Sequence, residues 1–144
     1  MAIDIRQLQL ADLDAYRDHL LRLDNQGRHT RFCCGMSDGA IVDFAAQGFG
    51  PNAQIYGAFD GAALCGVGEL RGEEAALSVD GAYRKHGIGK RLFARILDAA
   101  RAARLAAVTM LVLPENLAMR ELARSFETHF TLECGELYGT CKPV

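Results

Sequence analysis

The run from Leu77 to Arg101, "LSVDGAYRKHGIGKRLFARILDAAR", constrains this chain more than any other stretch. An apolar segment closes at Val79, a basic turn with two glycines follows, and at Ile88 an amphipathic pattern begins with no spacer. Leu92, Ile96, Ala99 and Ala103 recur at helical steps, while Lys90, Arg91, Arg95, Asp98 and Arg101 fall on the other side. A strand turning straight into a helix sets the unsatisfied N–H groups of the first helical turn, and the positive end of its dipole, beside that turn. Such an end suits a phosphate.

Which phosphate follows from the spacing. A GxxxxGK[ST] loop is excluded, because Gly89-Lys90 is followed by Arg91 and no magnesium-binding hydroxyl is present. The GxGxxG dinucleotide fingerprint fails at Leu92, where its third glycine belongs. The pattern that remains is [QR]xxGx[GA], read at Arg84, Gly87 and Gly89, in which exposed backbone N–H groups meet a pyrophosphate.

The rest of the chain limits what can surround this element. Its 144 residues suit one domain, 1–144, with a single core. A formal net charge of -2 gives no global attraction to nucleic acid or an anionic membrane, so the basic turn is a local feature. No apolar run reaches about 18 residues and "MAIDIRQLQL" lacks the form of a signal peptide, so a cytoplasmic protein is expected. Five cysteines without CxxC spacing fit reduced thiols, and four scattered histidines give no metal-ligand spacing, so no metal is expected.

Periodicity supplies the elements. "IDIRQLQ" alternates like a strand, and "ADLDAYRDHLLRL" sets Leu13, Tyr16, Leu20 and Leu23 on one helical face. "DNQGRHTRFCCG" reads as an irregular loop, after which Ser37 caps a short helix with Met36 as a staple. "QIYGAFDGAALCGVGELRG" predicts a hairpin turning at Asp60-Gly61, and "EEAALSV" a further strand. After the long helix come a buried strand in "AAVTMLVL", a helix in "ENLAMRELARSF" and a final pair of strands in "FTLECGELYGTCK". The fold class is α+β: a mixed, mostly antiparallel sheet of about seven strands flanked by about four helices, with one parallel crossover.

At this point the chain resembles the GNAT superfamily of N-acetyltransferases. Arg84, Gly87 and Gly89 match the family's acetyl-CoA motif, and "VLPENLAMRELARSF" matches its second signature at Asn116 and Met119. The N-terminal stretch "LDNQGRHTRF" is similar to the L-S-x-x-S-R-x-x-R-F pattern of bacterial protein-lysine acetyltransferase domains at Leu23, Arg28, Arg31 and Phe32, with Asp24 and Gly27 in place of its serines.

The resemblance implies that acetyl-CoA is a co-substrate held by Leu77, Val79, Arg84, Lys85, His86, Gly87, Ile88, Gly89, Lys90, Asn116 and Met119. It implies direct attack of a primary amine, from a small molecule or a protein lysine, on the thioester. An alkylammonium with a pKa of about 10.4 must first lose a proton. Glu74 is the implied base and Glu69 on the neighbouring strand its reserve. The carbonyl would be polarised by backbone N–H groups near Val79. The family's thiolate-protonating Tyr falls at Ala123 here, which leaves Tyr138 or a water as donor. The same vacancy keeps a second reading open, a catalytically inactive acyl-CoA-binding regulatory module. No nucleic acid or membrane partner is expected, and a homodimer is left open.

Overall fold

The computed structural model describes residues 1–143. Seven strands form one sheet in the order β1-β2-β3-β4-β5-β7-β6: β1 is Ile3–Gln7, β2 Ala53–Asp60, β3 Ala63–Arg71, β4 Glu74–Val79, β5 Val108–Val112, β6 His129–Glu133 and β7 Glu136–Cys141. Every neighbouring pair is antiparallel except β4 and β5. These two are joined by the long helix α4, Ile88–Ala102, as the single parallel crossover requires. The β2–β3 hairpin turns through Gly61-Ala62, one residue past the expected Asp60-Gly61, because Asp60 still pairs with Ala63; Gly61 supplies a positive φ of 61°.

Five helices flank the sheet rather than about four: α1 is Leu13–Arg22, α2 Asn25–Phe32, α3 Asp38–Ala46 and α5 Leu117–Arg124. The additional one, α2, lies where a loop was expected. Its residues have no apolar stripe to announce it, and local hydrogen bonds stabilise it instead. The Asp24 carboxylate accepts from the Gly27 N–H at 2.6 Å, and the Arg28 guanidinium donates to the carbonyls of Leu21, Leu23 and Met36. Helix α3 starts as expected, with Ser37 Oγ accepting from the Ala40 N–H.

Two apolar layers result. Helix α4 buries Leu92, Phe93, Ile96 and Ala100 against Ala75, Met110 and Val112 on one face of the sheet. Helices α1 and α3 bury Tyr16, Leu20, Ile41 and Ala45 against Ile55 and Val67 on the other. Ala103, expected on the buried stripe, lies exposed just past the end of α4, while Arg95 lays its guanidinium 4.5 Å over the Tyr56 ring. No helix among the described residues is long and apolar enough to cross a membrane.

Candidate active site

The sheet is open in its middle. Strands β4 and β5 meet at Glu74 opposite Thr109, and among the described residues no later pair joins them. The Asp80 N–H donates to the Cys65 carbonyl on β3 at 2.8 Å, which sets the ladder parity: the main-chain groups of Ser78 and Ala76 face β3, and those of Val79 and Leu77 face β5. With β5 splayed away, Leu77 and Val79 present N–H groups to an unfilled gap. Unpaired main-chain donors at a strand edge call for a partner.

The gap runs directly into the glycine turn. Among the described residues, no N–H from Lys85 to Lys90 donates to a main-chain carbonyl outside the regular elements, and the first such bond of the helix is Arg91 N–H to Gly87 O at 3.1 Å. Lys85 and Gly87 both adopt positive φ, 66° and 78°, which turns successive amides toward one side. The two glycines serve different ends. Gly87 holds the left-handed cap of α4 that a side chain would strain. Gly89 has ordinary φ, but a Cβ there would meet Leu122 Cδ1 at 3.1 Å, so its role is close packing of α4 on α5. Lys85, His86 and Lys90 are exposed, whereas the Arg84 Nε donates back to the Val79 carbonyl at 3.3 Å and closes the turn itself.

On the far side of the gap, Asn116 caps α5, its Oδ1 accepting from the Met119 N–H at 3.2 Å. The side-chain Nδ2 of Asn116 makes no hydrogen bond among the described residues, whereas its main-chain N–H donates to the Leu113 carbonyl at 2.9 Å. Ala123 is fully buried within the core cluster.

The opposite face of β4 carries Glu74, Ala76 and Ser78, because side chains alternate and Ala75, Leu77 and Val79 belong to the α4 layer. Glu74 is exposed at the closed end of the gap. Glu69 differs completely. It is 1% exposed, accepts from Tyr16 Oη at 2.8 Å and from Arg31 at 2.7 Å, and pairs with Arg71. Burial alone would raise its pKa, but Arg31 and Arg71 outweigh it and hold the carboxyl below the ordinary range. The reserve base expected at Glu69 is thus corrected: a carboxylate engaged by two guanidiniums and a phenol is an anchor for α1 and α2, not a free proton acceptor. Tyr138 stands exposed on β7 opposite Leu111, with β5 between it and the gap. That placement separates it from a thiol bound between β4 and β5.

The residues of the "LDNQGRHTRF" resemblance are equally occupied: Leu23 is buried, Arg28 holds three carbonyls, Arg31 binds Glu69, and Phe32 packs edge-on to Phe44. Together they fasten α2 over β4. Sequence reading missed a second buried network. His19 of α1 is fully buried, its Nε2 lies 2.8 Å from Ser78 Oγ, and its Nδ1 is 2.7 Å from Asp80 Oδ1, which approaches off the N–H axis. Arg22 also donates to Asp80, at 3.0 Å. Burial would raise the Asp80 pKa, but His19 and Arg22 hold it below the ordinary carboxylate range. The spacing of His19, polar on an otherwise apolar helix face, was the available signal.

The chain and its fold both match known proteins. The family model described as "Acetyltransferase (GNAT) family" matches residues 3–127. Among solved structures, the chain is similar to the GNAT domain of S. lividans PAT, with TM-score 0.83, 15% identity, and 96% of this chain and 89% of that one covered. The ribosomal-protein-S18-alanine N-acetyltransferase from Escherichia coli matches with TM-score 0.77, 16% identity, and 98% and 94% coverage. The PaiA N-acetyltransferase from Thermoplasma acidophilum, solved in complex with coenzyme A, matches with TM-score 0.74, 16% identity, and 99% of each chain covered. No curated protein sequence matches.

Proposed function

Because this chain belongs to the acetyltransferase (GNAT) family, we propose that it transfers an acetyl group from acetyl-CoA to a primary amine by direct attack in a ternary complex. The observation that carries this is the continuous row of unpaired donors, from Leu77 and Val79 along the open edge of β4 to the amides of Lys85 through Lys90. A pantetheine arm laid along β4 takes the place of the missing strand, and its pyrophosphate meets the capped end of α4. Exposed Lys85 and Lys90 add charge there. The Asn116 amide and Met119 flank the arm from α5.

The thioester carbonyl then lies beside the Leu77 and Val79 N–H groups, which stabilise the oxyanion as the tetrahedral intermediate forms. The amine enters from the face that bears Glu74. Glu74 is three residue steps from Leu77, about 10 Å of strand, so the carboxylate removes the ammonium proton through water. The buried Ala123 favours a second reading, an acyl-CoA-binding module without turnover.

A screen of small amines and lysine peptides, scored by amine-dependent CoA release together with the acetylated product's mass, decides between them. Product formation with at least one amine supports the transferase. Calorimetric binding of acetyl-CoA with no product from any amine assigns the module.

A further inference from the structure

The transferase reading leaves the proton donor for the departing thiolate unassigned, and the network built on His19 supplies one. We propose that Ser78 is a catalytic proton carrier for this reaction, relayed by His19 and held by Asp80. The inference rests on the transferase reading and adds to it a residue outside the family-type site described above.

Ser78 lies on β4 between Leu77 and Val79, the two residues whose main-chain donors face the gap, and beyond the last pairing of β4 with β5. Its side chain points to the face from which the amine enters. Ser78 is 8% exposed, whereas His19 behind it is 0% exposed. The chain of groups therefore has one end at the gap and its middle sealed from solvent. The Asp80 carboxylate, 2.7 Å from Nδ1 though off the N–H axis, favours the proton on that nitrogen by its charge, which leaves Nε2, 2.8 Å from Ser78 Oγ, to accept from the hydroxyl. Arg22 holds Asp80 from the other side at 3.0 Å and so fixes the carboxylate. Serine, histidine and aspartate stand in the order that moves a proton off a hydroxyl, a relation recognised by geometry rather than by position in the chain.

The steps balance without any further reactant. The neutral amine, already relieved of one proton through Glu74, attacks the carbonyl carbon and the C–N bond forms. As the intermediate collapses and the C–S bond breaks with its electron pair going to sulfur, the second nitrogen proton passes to Ser78 Oγ, and the hydroxyl's own proton passes to His19 Nε2. The imidazolium, stabilised by Asp80, returns that proton through Ser78 to the thiolate. Amide and free CoA thiol are the products. The network thus performs the task for which Ala123 has no group.

The test compares wild type, Ser78→Ala and Ser78→Thr with one accepted amine, at a temperature where melts show all three folded, and titrates acetyl-CoA into each. The expected result is a loss in kcat of about 10²-fold for Ser78→Ala, the lower end for a positioned acid–base group because a thiolate leaves readily. Acetyl-CoA affinity stays unchanged, and Ser78→Thr, which keeps the hydroxyl, restores most of the rate. A kcat equal to wild type in Ser78→Ala overturns the proposal and leaves the transferase reading intact. So does a fall in kcat matched by an equal fall in acetyl-CoA affinity, which assigns Ser78 to the architecture of β4. A wild type that binds acetyl-CoA yet acetylates no amine overturns both.

Discussion

The two sides of the β4–β5 gap are built in opposite ways. On the transferase reading proposed above, the cofactor side comes from one continuous stretch, Leu77 through Met119, in which strand, turn, helix, strand and helix cap follow in chain order. The side that this reading gives to the acceptor is assembled from three separated segments: Tyr16 to Arg31, Glu69 to Arg71, and Glu74 to Asp80. Its parts are held by ion pairs and hydrogen bonds over long sequence distances, such as Arg31 to Glu69 and His19 to Ser78. The first side presents main-chain donors, whose direction follows from backbone geometry alone. The second presents side chains, whose direction depends on packing. Changes on one side should therefore alter affinity, and changes on the other should alter rate or stability.

The largest expected effect is on rate. Glu74→Gln should lower kcat/KM for the amine by about 10² to 10⁴ while acetyl-CoA affinity holds. The loss should shrink at high pH, where more amine arrives deprotonated. A pH–rate profile of both proteins, with thermal melts, checks this; equal profiles would transfer the role to water or to His19.

Next is stability. Glu69→Gln strands Arg31 and Arg71 opposite a neutral amide, and removing one partner of a buried pair costs about 3–5 kcal/mol. A drop in Tm on the order of 10 °C is expected. The pH dependence has a definite sign. The folded pKa of Glu69 is depressed below its unfolded value near 4.3, so its contribution is present above that value and is lost as pH falls through the folded pKa. The difference between wild type and Glu69→Gln should accordingly be full at neutral pH and shrink below about pH 4. A constant difference across that range would mean the carboxylate is not the source.

The smallest effect is ionic. Lys85 and Lys90 are exposed, so acetyl-CoA affinity should weaken by a few-fold between low and physiological salt, where the Debye length is about 8 Å. Affinity flat in salt would leave the main chain as sole ligand of the pyrophosphate.

The same contrast explains what could be read before the structure. The Arg84-Gly87-Gly89 turn was legible because helix start, strand end and glycine spacing are local, and the single parallel crossover followed from the strand–helix–strand order. Helix α2 was not, since Asp24 and Arg28 stabilise it through hydrogen bonds that leave no periodic apolar trace. The roles of Glu69 and Glu74 looked interchangeable in sequence, and burial separates them: the hairpin brings Glu69 under Tyr16, whereas Glu74 starts its strand in the open. Tyr138 lies on β7, with β5 between it and the gap, a separation that depends on the strand order and leaves no local trace in sequence. The Ser78–His19–Asp80 network joins residues 59 positions apart, a pairing that only the packing of α1 on the sheet creates.

The transferase reading requires the gap to be a CoA site whose phosphate end is the main chain of the α4 cap. The most direct test is calorimetric titration of acetyl-CoA into wild type and Gly87→Val. A β-branched residue at φ 78° strains the cap and turns its amides away. The account predicts clear binding by wild type and at least about tenfold weaker binding by a Gly87→Val protein that still melts cooperatively. Equal affinities in the two folded proteins, or no binding by wild type, would contradict it.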